Sequence, residues 1–166
     1  MSVMDLLIKN MTEAGCEVHR ASGAAAAAGI MSEATGSRQA LMAASPLVER
    51  VWEHLEWEAV SFSRAPEAPL GLFEADAAVA ETGSLLSFDT SVDIRLASTL
   101  PPEVFALVSS RRVLETLSQA VDGSDSPLRA LITGPSSTGD IENVHQVGVH
   151  GPHRLVVIMV DEEEAN

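Results

Sequence analysis

The sequence predicts an α/β protein, a three-layer sandwich in which a mostly parallel sheet is covered by helices on both faces. Continuous apolar runs carry the first part of that expectation. Val104 to Ser109 and Arg154 to Val160 show no polar alternation, which suits strands buried on both faces, and such strands belong to parallel sheets. These runs alternate with stretches at helical spacing, as strand–helix–strand units require. Size and composition supply the rest: 166 residues suit a single domain, and 46% hydrophobic residues give it a sizeable core. With 4% aromatics and no tyrosine, that core must be built from Ala, Val and Leu.

Charge and cysteine usage narrow the function classes. The formal net charge is −14, which argues against nucleic acid and anionic membrane as partners, since both demand clustered Lys and Arg. One cysteine, Cys16, excludes a disulfide framework and cannot by itself supply an iron–sulfur cluster or a structural zinc site. It reads as a small buried hydrophobe. Met1 to Glu13 lacks a signal pattern and no apolar stretch reaches membrane length, so a cytoplasmic protein without membrane insertion is expected.

Taken in order, Val3, Leu6, Leu7, Met11 and Ala14 mark a first helix, with Ser2 as N-cap and Gly15 as its stop. Cys16 to Ala21 reads as a short strand. Ser22 to Ile30 contains five consecutive alanines between glycines and is read as a helix or connector without function. Leu41, Ser45, Val48, Trp52 and Leu55 then define the clearest helix, Ser37 to Leu55, although Pro46 in its interior moves the start toward Ser45. Trp57 to Phe62 alternates as a strand, and Glu67 to Glu74 is given one helical turn.

Ala77 to Glu81 and Ser84 to Phe88 read as strands broken at Thr82-Gly83. Asp89 to Ser98 is read as a polar loop. Val104 to Ser109 is a strand, followed by a helix from Arg111 to Val121 with Val113, Leu114, Leu117 and Val121 facing the core. The final strand, Arg154 to Val160, leads into an acidic tail.

The polar residues concentrate between Leu131 and Pro152. Ala130-Leu131-Ile132 reads as a strand that hands over at Thr133-Gly134-Pro135 to a helix start, with Ser136, Ser137, Thr138, Gly139 and Asp140 in the turn. In open α/β sheets such loops lie at the carboxyl ends of strands, where ligands bind. The spacing of Gly134 and Gly139 matches half of a phosphate-binding loop, but Asp140 stands where that loop needs Lys, so a nucleoside triphosphatase is rejected. Glu81 closes an apolar strand: it either accepts bonds from the neighbouring loop or, beside a pocket, serves as an acid or base. His145, His150 and His153 match no common ligand spacing, and no metal site or cofactor is expected.

Three segments together resemble a known family. Ala75-Asp76-Ala77-Ala78-Val79-Ala80-Glu81-Thr82-Gly83-Ser84, then Gly134-Pro135-Ser136-Ser137-Thr138-Gly139-Asp140-Ile141-Glu142, then Gly148-Val149-His150-Gly151-Pro152 follow in the order seen in the LUD domain, the family of lactate-utilisation protein C. The resemblance covers 71–161, the motif-bearing core of one domain spanning 1–166, with 1–70 loosely matched. It implies the fold shared by glucosamine-6-phosphate deaminase, ribose-5-phosphate isomerase and the CoA-transferases. It also implies a component of bacterial L-lactate utilisation, which oxidises lactate to pyruvate with iron–sulfur partner proteins.

On that reading the site binds a small anionic ligand. Glu81, Asp140 and His150 are its acid–base candidates, and Thr82, Gly83, Ser84, Gly134, Ser136, Ser137, Thr138 and Gly139 its ligand-binding ones. The alternatives are a stand-alone enzyme on a phosphosugar or acyl-CoA, with Glu81 as base or nucleophile, and a non-catalytic interaction protein.

Overall fold

The computed structural model describes residues 1–88, 91–122, 130–139, 145–147 and 151–161, with the backbone alone at 137–139 and 145–147. The helices are α1 (Val3–Glu13), α2 (Ala24–Ala34), α3 (Pro46–Trp52), α4 (Val92–Thr99) and α5 (Leu117–Asp122). The strands are β1 (Glu17–Ala21), β2 (Gln39–Met42), β3 (Glu58–Ala59), β4 (Leu70–Glu74), β5 (Ala77–Val79), β6 (Ser84–Ser87), β7 (Glu103–Ser109), β8 (Val113–Leu114), β9 (Ala130–Ile132), β10 (Ser137–Gly139), β11 (His145–Val147) and β12 (Arg154–Val160).

A six-stranded sheet in the order β1-β12-β7-β4-β2-β3 forms the middle layer, and its strands pair in parallel. Strand periodicity explains why it is covered twice. In β7, Val104, Ala106 and Val108 point into a core shared with α1, while Phe105 and Leu107 point into a core shared with α2 and α3. In β12, Leu155, Val157 and Met159 take the first side and Val156, Ile158 and Val160 the second, as a period of two dictates. The expected α/β architecture with helices on both faces is therefore present. A smaller sheet, β8-β5-β6-β9, packs beside α1, and β10 and β11 form an antiparallel pair.

Several elements differ from the sequence reading. Of the helix expected over Ser37 to Leu55, the first part is a strand, β2, and the helix α3 begins where Pro46 moved its start: Ser45 is the N-cap, its hydroxyl accepting the Val48 N–H at 3.2 Å, and Pro46 occupies the first helical position, where no N–H is needed. Glu67 to Glu74 holds no isolated helical turn but runs into β4, a central strand. Helix α4 packs so close upon it that a Cβ on Gly71 would strike the Ala97 carbonyl oxygen. The polar stretch expected as a loop contains α4, whose N-cap is Ser91, with Ile94, Leu96 and Ala97 turned inward.

The single helix expected from Arg111 to Val121 is a 3-10 turn, then β8, then α5, and Val121 is exposed while Ala120 is buried. The break lies at Glu115 and Thr116, whose N–H groups are both accepted by the Gln119 side chain. The turn after Gly134 enters strand β10 rather than a helix.

Two local devices fix element ends around the main sheet, the first at the start of α1 and the second at the amino edge of the strands. Helix α1 opens with a reciprocal cap, in which Ser2 Oγ accepts the Asp5 N–H and Asp5 Oδ2 accepts the Ser2 N–H, both at 3.1 Å. Arg154, at the start of β12, forks onto Glu17 of β1 at 2.7 and 2.8 Å and reaches Glu103 of β7 at 3.0 Å and the Ala34 carbonyl at 2.7 Å. That charge-assisted clamp ties three neighbouring strand starts together and holds the Glu17 carboxyl below its ordinary pKa. Among the described residues no helix is long and apolar enough to cross a membrane.

Candidate functional site

The three motif segments meet, and small residues let them do so. The turn between β5 and β6 places Gly83 at φ +64°, directly under the α1 backbone at Asn10 and Met11, so that a Cβ would collide with it. Asn10 Nδ2 donates to the carbonyls of Ala80 at 2.7 Å and Glu81 at 3.1 Å. Ser84, wholly buried, exchanges a hydrogen bond with Thr133 at 2.6 Å, joining the first segment to the approach to the second. Gly134, at φ +76°, sits against the Ala14 carbonyl with no room for a Cβ. Its N–H bonds the Cys16 thiol, lowering a pKa that burial raises overall. The Ser136 N–H donates to the Pro152 carbonyl at 2.8 Å, and Gly151 lies against the Ser136 side chain, joining the second segment to the third.

This knot differs from the expected site in position. Gly134 to Ser136 touch Ala14, Gly15 and Pro152, which precede β1 and β12, so the loop lies at the amino edge of the parallel sheet and not its carboxyl edge. The reason is topological: β9, which feeds the loop, pairs antiparallel with β6 in the smaller sheet. Glu81 is exposed in the turn after β5, and its Oε2 accepts the Leu117 N–H at 3.0 Å, capping α5.

Thr82 Oγ1 is buried without a hydrogen-bond partner among the described residues. Gly83 and Gly134 thus abut the second half and the end of α1, Ser84 joins them through Thr133, and Ser136 lies against Gly151 and Pro152. Ser137, Thr138 and Gly139 form β10, whose backbone pairs with β11. Asp140 and His150 lie outside the described residues.

A crevice of about 690 Å³ opens at the other edge, beyond the carboxyl ends of β1 and β12. Its walls are the turn Ser22-Gly23 and the first turn of α2, together with Arg50, His54 and Arg111. Helix α2 points its N-terminus here because Ala27, Ala28 and Met31 bury the opposite side against the sheet. Among the described residues no side chain caps that N-terminus, and the first N–H groups of a helix have no intrahelical acceptor. Sequence reasoning gave this segment no role. The available signal was a Gly turn directly after a buried strand, opening a helix of small residues that leave the helix end approachable. A second hollow, of about 740 Å³ beside Val3, Met4, Val113 and Leu114, is more open and has no cationic lining among the described residues.

Comparison with known proteins agrees with the family resemblance. The LUD domain family model matches residues 4–160. Lactate utilization protein C 1 of Bacillus mycoides is 33% identical over 115 residues, covering 64% of this chain and 48% of that protein. Lactate utilization protein C of Halalkalibacterium halodurans is 32% identical over 121 residues, covering 68% of this chain and 52% of the relative. The chain thus spans about half the length of the curated relatives it matches. Among solved structures, a DUF162 family protein from Deinococcus radiodurans superposes with a TM-score of 0.70 over 95% of this chain and 96% of that one, at 22% identity, which establishes a common fold. The chain belongs to the LUD domain family.

Proposed function

We propose that this chain is a component of a bacterial L-lactate utilisation system, in which lactate is oxidised to pyruvate and iron–sulfur partner proteins carry the electrons. The observation that carries this reading is the match to proteins named lactate utilization protein C over most of the chain, with the three motif segments in order. Its single cysteine is buried, so the electron-transfer centres belong to the partners. The protein's own task is to bind a small anionic ligand. We further infer that the main sheet is that of the CoA-transferase-like fold, which its parallel strands and two helical layers support.

Glu81 fits a capping role better than that of a base or nucleophile in a stand-alone enzyme, because one of its carboxylate oxygens is already bonded to the Leu117 N–H. The test is growth on L-lactate as sole carbon source. A deletion strain of the source organism is expected to fail and to recover with the wild-type gene. Undiminished growth of the deletion strain on lactate, with no paralogue expressed, contradicts the reading.

A further inference from the structure

We infer that the crevice at the carboxyl edge of the main sheet is a receptor for the phosphate group of a phosphorylated organic ligand. Residues that carry donors line it from three separate elements: the first turn of α2, Arg50 on α3 and Arg111 in the 3-10 turn after β7. Donors supplied by three elements suit a tetrahedral group with three terminal oxygens. A planar carboxylate offers two oxygens and is satisfied by one guanidinium fork. The partial positive charge at the α2 N-terminus adds to the two cations.

Both arginines keep partners of their own in the structure, and a guanidinium with five donors can hold a neighbour and an anion together. Gathering two arginines and a histidine around one crevice is notable in a chain with 10 Lys and Arg against 24 Asp and Glu. Asp161 also lines the crevice, but its carboxylate is paired with Arg20 at 3.6 Å.

Size selects the rest of the ligand. At about 690 Å³ the crevice, open to solvent on one side, has room beside a phosphate for an organic group. Leu47 and Val160 supply an apolar surface beside the cations. The inference uses none of the motif residues on which the lactate reading rests, so its binding test stands apart from that reading.

Calorimetric titration of the full chain with inorganic pyrophosphate, at low ionic strength and with L-lactate as the carboxylate control, tests it. Pyrophosphate is expected to bind the wild type, and Arg111→Gln to weaken it by roughly tenfold or more. Ala25→Glu guards against a folding artefact: Ala25 is exposed in the first turn of α2, where a carboxylate favours the helix yet places a negative charge in the crevice. It is expected to keep or raise Tm while abolishing pyrophosphate binding. The inference is overturned by a wild type that does not bind pyrophosphate, by variants that bind it as tightly as wild type, or by L-lactate binding as tightly as pyrophosphate. Growth on lactate plays no part in these readouts, so the two readings fail separately.

Discussion

The two edges of the main sheet use polar groups in opposite ways. In the knot where the motif segments converge, whose Gly134 to Ser136 loop lies at the amino edge, the described polar groups mostly bond one another: Asn10 to the Ala80 and Glu81 carbonyls, Ser84 to Thr133, Ser136 to Pro152 and Glu81 to the start of α5. At the carboxyl edge, an alanine-rich turn with no polar side chain but Ser22 leaves helix N–H groups facing a crevice shared with Arg50 and Arg111. A segment rich in hydroxyls and carboxylates can therefore be a fastening. One made of Gly and Ala can be the receptor, because small side chains leave the backbone reachable.

The sharpest way to break that contrast is to add the same methyl group at each edge. Gly134→Ala sets a Cβ against the Ala14 carbonyl at a positive φ and is expected to cost about 2–4 kcal/mol in a urea titration. Gly23→Ala meets nothing within 4 Å in an extended backbone and is expected to cost under about 1 kcal/mol. Equal losses would remove the distinction between a packed knot and an open crevice.

The Arg154 clamp should come next in size. Arg154→Gln loses the fork to Glu17 and the bond to Glu103 and is expected to cost about 2 kcal/mol. Because pairing depresses the Glu17 pKa, its contribution is present above the ordinary value of 4.5 and is lost as pH falls through the lowered one. Stability curves of wild type and Arg154→Gln measured from pH 7 downward should therefore converge on the acid side. Parallel curves would show that the pair contributes no pH-dependent stability.

Smaller effects test individual fastenings. Glu81→Ala removes a helix cap and is expected to lower stability by about 1 kcal/mol, with Glu81→Gln recovering part of it through its amide oxygen. A double-mutant cycle on Ser84→Ala and Thr133→Val should give a coupling of about 0.5–1 kcal/mol, whereas additive losses would mean that their short contact contributes nothing.

Sequence pattern revealed those parts of the fold whose physics is local. The continuous apolar runs of β7 and β12 marked doubly buried strands, and Ser2 with the following helical spacing marked α1. Elements whose identity depends on neighbours were not legible. Leu70 to Glu74 is a strand because β2 and β7 flank it, and Leu41 fitted a helical face only by coincidence of spacing. The motif segments were visible as text, but which edge they occupy follows from the antiparallel pairing of β9 with β6, which no local pattern announces. The carboxyl-edge crevice was hidden for a related reason: Arg50, Arg111 and Ser22 are far apart in sequence, and alanine carries no chemical signature of its own.

The measurement that tests the account most directly is complementation of lactate growth, with Tm recorded for each purified variant, by Ala25→Glu from the crevice and Glu81→Gln from the knot. Taken jointly, with the crevice as the site that the lactate system uses, the two proposals predict that Ala25→Glu keeps or raises Tm and fails to restore growth, while Glu81→Gln restores it despite a slightly lowered Tm. Full rescue by Ala25→Glu, together with loss of rescue by a stably folded Glu81→Gln, would contradict that joint reading and return the functional centre to the amino edge.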